Sequence, residues 1–298
     1  MNMQVNILGA FSQLNQLLPE QAEKIKSFIS ETFNYEPKIG ILGKTGVGKS
    51  SLCNALFGKD VAPVSHVESC TREAQEYSVR VGSGNIKLVD LPGVGESRER
   101  DIEYKALYSK QLPELDVVLW VLKADDRAFS SDEEFYHNVI KPHLVQGKPF
   151  IIVLNQVDKV DPSWDWDRKN CIPGHQQQEN IDAKIKFVAQ KFGIDSKTVI
   201  PVSSAGKYNL ITLVETITYA IPKEKKVTFV DSVKEENRSD KAKEEAKRGF
   251  FEALGENIGE FMFGEAGKDF GKIAGDLVDK TKIGVMVNNI AKIFFSWW

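Results

Sequence analysis

Between Pro37 and Pro222, short apolar runs alternate with segments in which apolar residues recur at helical spacing. The runs predicted to form strands are Lys38 to Leu42, Glu73 to Val81, Ile86 to Val89, Val117 to Leu122, Phe150 to Leu154 and Val199 to Val202. Alternation of buried strands with helices is typical of a doubly wound sheet whose strands are mostly parallel. The pattern therefore predicts an α/β domain of about six strands over residues 37–222, with its ligand site at the carboxyl ends of the strands.

The two ends of the chain follow a different pattern. Residues 1–36 carry apolar side chains at helical spacing, which predicts one or two amphipathic helices. Residues 223–298 begin with a charged run and continue with mixed aromatic, glycine and charged positions, which predicts a linker and an amphipathic helical module. The apolar stripe of this module consists of Phe251, Leu254, Ile258, Phe261 and Met262. Two interpretations stay open: the module packs with the N-terminal helices, or it makes reversible contact with a membrane through its aromatic end.

Charge and cysteine content indicate which classes of partner and which cellular compartment to expect. The formal net charge of −3 gives the protein no general attraction to nucleic acid or anionic lipid, so any such contact would be local. The three cysteines have no Cys-x-x-Cys spacing and predict neither a disulfide framework nor a zinc site. No signal-peptide pattern and no long uncharged apolar run is present. We therefore expect a cytoplasmic protein, with peripheral contact at the inner membrane face left open.

The first predicted strand is followed directly by a glycine-rich segment and then by a predicted helix. The segment is Gly43-Lys44-Thr45-Gly46-Val47-Gly48-Lys49-Ser50-Ser51. Glycines let the backbone N–H groups turn towards phosphate oxygens, and the helix N-terminus adds a positive dipole end. All of these residues except Lys44 are predicted to bind a phosphate chain. Lys49 would reach the β- and γ-phosphates, and the Ser50 hydroxyl would bind Mg²⁺.

A second phosphate-sensing motif, Asp90-Leu91-Pro92-Gly93, ends the third predicted strand. Asp90 is predicted to hold Mg²⁺ through a water molecule, and the Gly93 amide to bond the γ-phosphate. Thr71, in the polar loop between the two motifs, is the candidate that completes the metal site when a triphosphate is bound. Ser65 and Ser69 compete for this role, and Thr71 has a simpler interpretation as a residue that begins a strand.

Two further motifs follow the last two predicted strands, and together they predict a guanine site. They are Asn155-Gln156-Val157-Asp158 and Ser203-Ser204-Ala205-Gly206. The Asp158 carboxylate can accept hydrogen bonds from N1–H and the amino group of guanine, whereas adenine offers no matching donors. Asn155 would bridge the base and the phosphate loop, and the Ala205 amide would meet the guanine O6. Ser204 is also predicted to belong to the nucleotide-binding residues. The predicted ligand is therefore GTP or GDP with Mg²⁺.

Five elements, in their order along the chain, resemble those of the translation-factor-related GTPases, in particular the Era-like bacterial GTPases that include prophage-associated members. They are the phosphate loop, the polar loop with Thr71, the motif from Asp90 to Gly93, the motif from Asn155 to Asp158 and the motif from Ser203 to Gly206. The phosphate loop also resembles those of septins, chloroplast-import Toc GTPases and immunity-related GTPases. The resemblance covers about residues 37–222. It implies a GTP-hydrolysing switch or self-assembling GTPase, with a ribosome-assembly factor and a non-hydrolysing GTP-binding module as alternatives.

Three positions depart from the resembling families. Gln156 replaces a lysine that stacks beneath the base, which predicts weaker guanine affinity. Val94 replaces a glutamine that orients the attacking water, which predicts slow intrinsic hydrolysis. Gly46 replaces the asparagine of potassium-activated relatives, so activation by potassium through this position is not expected.

Arg127, just beyond the fourth predicted strand, is the candidate for the missing catalytic group. In the Toc-like GTPases that the chain resembles, a comparable arginine reaches across a homodimer, which implies a GTP-dependent homodimer here. Arg98 and Arg100 are competing candidates. The alternative role for Arg127 is a surface salt bridge to Asp132 or Glu133.

Overall fold

The structure is a computed structural model that describes residues 19–58, 75–81, 84–91, 106–126, 128–144 and 147–263. It separates into two compact units. The sheet unit contains Glu36–Ile221 and Phe229–Ala242, and the helical unit is drawn from Met1–Tyr35, Pro222–Thr228 and Lys243–Trp298. The division of the chain into 1–36, 37–222 and 223–298 stays a prediction.

The sheet unit is built on a sheet of six strands in the order β2-β3-β1-β4-β5-β6. The strands are β1 Lys38–Leu42, β2 Gln75–Val81, β3 Gly84–Asp90, β4 Val117–Lys123, β5 Phe150–Asn155 and β6 Val199–Pro201. All neighbours are parallel except β2, which pairs antiparallel with β3. The predicted α/β class and the predicted strands are confirmed, with strand ends shifted by one or two residues.

The helices of the described residues have the following bounds: α1 Pro19–Asn34, α2 Lys49–Phe57, α3 Ser130–Phe135, α4 His175–Phe192, α5 Leu210–Ala220, α6 Lys226–Asp231 and α7 Asp240–Phe263. Residues 106–111 are also helical, and α3 continues into a π-helical turn at Tyr136–Ile140. Gly193 ends α4 in the left-handed conformation (φ 62°), and its amide bonds the carbonyl groups of the last turn. None of the described helices is long and apolar enough to cross a membrane.

The central strands are apolar without alternation because helices cover both faces of the sheet. Six of the seven residues of β4 are buried, as are five of the six of β5. Trp120 of β4 is fully buried and forms edge-to-face contacts with Phe135, Tyr136 and Phe192, with ring centroids 5.9 to 6.1 Å apart. This packing fixes the register of the strands, and with it the positions of the loops at their carboxyl ends.

The helical unit has its own apolar contacts and a buried ion pair. Phe33 packs on Phe250 with ring centroids 5.5 Å apart. The Lys226 ammonium donates to the Glu245 carboxylate, and both side chains are less than a tenth exposed. Arg248 donates to the same carboxylate at 2.6 Å. Two positively charged side chains therefore pair with the buried Glu245 carboxylate, which would be costly to bury without a partner.

Candidate nucleotide-binding site

The phosphate loop connects β1 to α2, and its conformation depends on glycines. Gly43, Gly46 and Gly48 have φ values of 140°, 83° and 92°, in the region that disfavours residues with a side chain. A Cβ on Gly43 would lie 2.3 Å from the Val121 carbonyl oxygen, and one on Gly48 would lie 2.6 Å from Asn155 Nδ2. Replacing Gly43 would therefore displace the backbone of β4, and replacing Gly48 would displace the Asn155 side chain; either change would also strain the loop.

Lys49 begins α2, and its ammonium bends back over the loop. Its Nζ donates to the carbonyl oxygens of Gly43 at 2.7 Å and Lys44 at 3.3 Å. Ser50 follows it in the first turn of α2, where backbone N–H groups have no carbonyl partner within the helix. The loop thus combines a positive charge, a hydroxyl and a helix N-terminus at one place, which suits a phosphate chain.

A second lysine of the loop is held by an acidic residue from another element. Lys44 Nζ lies 2.5 Å from Oδ2 of Asp132, whose side chain is 3% exposed. Burial raises the pKa of the Asp132 carboxyl above its ordinary value, and the bond from Lys44 acts in the opposite direction. The pair ties the phosphate loop to α3, and sequence reasoning assigned neither residue to this contact.

Asp90 is the last residue of β3, paired in register with Ile41 of β1. Burial raises the pKa of the Asp90 carboxyl, and the charge of Lys49 opposes this. Its Oδ1 is buried and has no hydrogen-bond partner among the described residues. A carboxylate oxygen beside the phosphate loop that lacks a partner fits a hard divalent cation such as Mg²⁺. Cys53 of α2 is buried too, and burial, followed by the charge of Asp90, raises the pKa of its thiol to about 12.

Asn155, at the end of β5, connects the phosphate loop to the loop after β6. Its side chain is buried, and Nδ2 donates to the Val47 carbonyl oxygen at 2.9 Å. Its Oδ1 accepts from the amide of Ser204 at 3.1 Å and from the Ser204 hydroxyl at 2.9 Å. Ala205 follows in an exposed turn that the bond from the Gly206 amide to Ser203 Oγ closes. Three segments that are distant in sequence therefore meet at one amide.

Asp158 lies in the 3-10 turn Val157–Lys159 that follows Asn155. Its Oδ1 is buried and lacks a hydrogen-bond partner among the described residues. The residue borders a cleft with a volume of about 500 Å³, together with Lys159, Ser163, Trp166 and Arg168. A buried carboxylate oxygen left unpaired at a cleft is suited to accept a hydrogen bond from a ligand.

The predicted site residues divide into those that the structure describes and those that it does not. The described ones lie at or after the carboxyl ends of β1, β3, β5 and β6: Gly43 to Ser51, Asp90, Asn155, Asp158, Ser204 and Ala205. Thr71, Gly93 and Arg127 lie outside the described residues, as do Val94, Ser65, Ser69, Arg98 and Arg100. The two acidic partners considered for Arg127 already contact lysines: Asp132 pairs with Lys44, and Glu133 lies 3.3 Å from Lys191.

Comparison with known proteins points to one family. Residues 38–156 match the model of the family described as 50S ribosome-binding GTPase. The Escherichia coli K12 protein YkfA, itself uncharacterised, is 42% identical over 249 residues, which cover 83% of this chain and 84% of YkfA. The GTPase Era of Aquifex aeolicus is 30% identical over 188 residues, 62% of this chain and 56% of Era. A crystal structure of Aquifex aeolicus Era bound to GDP and AlF4⁻ covers 62% of this chain and 56% of Era, at 29% identity and a TM-score of 0.46.

Proposed function

Because the chain belongs to the family described as 50S ribosome-binding GTPase and is similar to YkfA and Era, we propose that it binds GTP with Mg²⁺ and hydrolyses it to GDP and phosphate. The observation that best supports this is the contact set of Asn155. It joins the phosphate loop at Val47 to the predicted guanine loop at Ser204. One nucleotide could then contact both loops at once.

At the phosphate end, the N–H groups of the loop and the Lys49 ammonium bind the β- and γ-phosphates. Water attacks the γ-phosphorus in line, the bond to the β–γ bridging oxygen breaks, and GDP leaves with that oxygen, while both protons of the water end on the released phosphate. Lys49 offsets the negative charge that develops on the oxygens. The Gly93 amide is proposed to bond the γ-phosphate, so its contact would be lost after hydrolysis.

Mg²⁺ would be held by Ser50 directly and by Asp90 through water, with Thr71 completing the site. The ion would supply positive charge that neutralises the phosphate oxygens. The unpaired Oδ1 of Asp90 and its position beside Lys49 support this assignment. The three residues come from separate segments of the sequence, so the metal site would be complete only when all three reach the ion.

At the base end, Asp158 would accept hydrogen bonds from the guanine N1–H and amino groups. Its buried and unpaired Oδ1 supports this role. Ala205 lies in an exposed turn, and its amide is proposed to meet the guanine O6. An adenine base would leave the Asp158 carboxylate buried without a donor, which is the physical basis of discrimination.

Binding is tested by titrating nucleotide-free protein with Mg²⁺ and GTP, GDP or ATP in a calorimeter. We expect GTP and GDP to bind and ATP to bind at least about a hundredfold more weakly. The matched variant is Asp158→Asn, whose amide donates to the carbonyl that xanthine carries in place of the guanine amino group. It should lose affinity for GTP and gain affinity for xanthosine triphosphate. No heat with GTP, or a preference for ATP, would contradict the proposal.

We further propose that the protein is a nucleotide-dependent switch or self-assembling GTPase with slow intrinsic hydrolysis. The valine at position 94 supports slow hydrolysis, and Arg127 would supply the missing charge across a homodimer, where it is worth about a thousandfold. Phosphate release per molecule should then rise with protein concentration, and Arg127→Ala should abolish the rise. Equal rates at all concentrations would contradict assembly. Flotation with liposomes, compared with a chain that ends at Pro222, tests membrane contact.

A ribosome-associated GTPase is the second candidate function. It is favoured by the description of the matched family, 50S ribosome-binding GTPase. Co-sedimentation with purified ribosomal subunits in GDP and in a non-hydrolysable GTP analogue tests it. Nucleotide-dependent association with a subunit would support it, and absence of association in both states would remove it.

A further inference from the structure

The proposed guanine motif departs from the usual pattern at Gln156, and the structure shows what this side chain does. Gln156 has φ 62°, a left-handed conformation that costs energy for a residue with a side chain. In this conformation its Nε2 donates to the carbonyl oxygen of Gly46 at 3.0 Å. The glutamine therefore contacts the phosphate loop but brings no positive charge to the base site.

The positive charge lies three residues further along the chain. Lys159 Nζ donates to Gln156 Oε1 at 2.7 Å. The main chain beneath it is fixed, because the Lys159 amide bonds the Gln156 carbonyl at 3.0 Å and the buried Gln177 donates to the Val160 carbonyl at 2.7 Å. Lys159 is itself exposed. A fixed backbone and a hydrogen-bonded ammonium hold this lysine beside the glutamine.

Lys159 also lines the cleft that contains the predicted base-reading carboxylate. Asp158, with its unpaired Oδ1, and Lys159 are adjacent in the wall of this cleft. A lysine at such a place can cover a flat ring with its methylene stem and attract the ring face with its ammonium.

We infer that Lys159 is an affinity-determining residue for the guanine base, and that Gln156 and Lys159 together replace the single lysine of the usual motif. Gln156 makes the contact with the phosphate loop and anchors the ammonium, while Lys159 provides the charge and the apolar stem. The inference rests on the proposed function, because it needs a guanine nucleotide in the cleft. If Lys159 has this role, the glutamine at position 156 is no longer a reason to expect weak guanine affinity.

The test compares the affinities of GMP, GDP and GTP for the wild-type chain and for Lys159→Ala. Because Lys159 is proposed to act on the base, all three affinities should fall by the same factor, about three- to tenfold. Lys159→Arg should retain most of the affinity, since it keeps the charge and a long stem. Lys169→Ala is the matched control, because it removes one charge from an exposed position of the same loop outside the wall of the cleft. It should change each affinity by less than about twofold.

A second pair of variants tests whether Lys159 works through Gln156. In Gln156→Lys the motif has its usual lysine, so adding Lys159→Ala to this background should cost less than about twofold. An equal loss in both backgrounds would show that Lys159 acts independently and would overturn the shared role. A loss that grows from GMP to GTP would also overturn it, because it would indicate general attraction to phosphate. If Lys159→Ala binds as the wild type does, the inference fails while GTP binding stands. If no variant and no wild-type protein binds guanine nucleotide, the proposed function fails first.

Discussion

Replacement of Asn155 by alanine should weaken both the fold and nucleotide binding, because three hydrogen bonds meet at this side chain. The Val47 carbonyl, the Ser204 amide and the Ser204 hydroxyl all lose their partner in Asn155→Ala. A buried polar group left without a partner costs about 1–3 kcal/mol, and water entering the new space would recover part of this. We therefore expect the free energy of unfolding to fall by about 3 kcal/mol.

Two further variants divide this cost between the two loops. Ser204→Ala removes only the hydroxyl bond and should cost about 1 kcal/mol. Asn155→Asp keeps an acceptor for Ser204 but turns a carboxylate oxygen towards the Val47 carbonyl, so it should weaken the phosphate loop selectively. In Asn155→Asp, the free energy of GDP binding should therefore weaken by more than the free energy of unfolding falls.

The assay is urea unfolding of nucleotide-free protein, followed by circular dichroism, combined with GDP titration. Asn180→Ala is the control: Asn180 is exposed and donates one hydrogen bond, to the Asp161 carbonyl at 2.8 Å, so its effect should stay within about 0.5 kcal/mol. We expect Asn155→Ala to lower GDP affinity at least about tenfold, equivalent to about 1.4 kcal/mol. If Asn155→Ala unfolded at the same urea concentration as Asn180→Ala, the proposed bridge between the loops would be refuted.

Three other predictions follow from buried charges and thiols. Asp90→Asn should stabilise the nucleotide-free protein near neutral pH but abolish the strengthening of GTP binding by Mg²⁺. Burial raises the pKa of the Asp90 carboxyl in the folded protein above its ordinary value. The protonated carboxyl therefore stabilises the fold below the ordinary pKa, and this stabilisation is lost as the pH rises through the folded pKa. The neutral amide introduced by Asp90→Asn would not show this loss, which is why this variant should be the more stable protein near neutral pH. Urea unfolding of both proteins from acidic to neutral pH checks the sign, and a variant less stable than the wild type at neutral pH would contradict it. Glu245→Ala should cost about 3–5 kcal/mol because it leaves the Lys226 ammonium buried without its carboxylate. A thermal melt within a degree or two of the wild type would count against a buried pair. In native protein at mildly alkaline pH, iodoacetamide should modify Cys171, which is partly exposed, and spare Cys53, which is buried with a pKa of about 12. Peptide mass spectrometry measures this, and equal labelling of the two thiols before unfolding would show that Cys53 is accessible.

The strands could be predicted from sequence because a strand buried on both faces is apolar at consecutive positions of the chain. A run such as Val117 to Leu122 is apolar at every position, which is typical of a central strand covered on both faces. The phosphate loop was predictable for a similar reason, since its glycines and lysine stand next to one another between a strand and a helix. The part of the predicted C-terminal module beyond Phe263 lies outside the described residues.

The sequence by itself also determined which chemical groups lie at the strand ends or in the segments that follow them, because motif and order predict Lys49, Asp90, Asn155 and Asp158 there. Only the tertiary structure decided how they are connected. Lys44 meets Asp132 across 88 positions of the chain, and Asn155 meets Val47 across 108. Such contacts depend on strand register and on the direction of each loop, which packing around residues like Trp120 fixes and no local pattern records. The link from Lys159 to Gln156 spans only three residues, yet it depends on a left-handed backbone at the glutamine that the surrounding contacts impose.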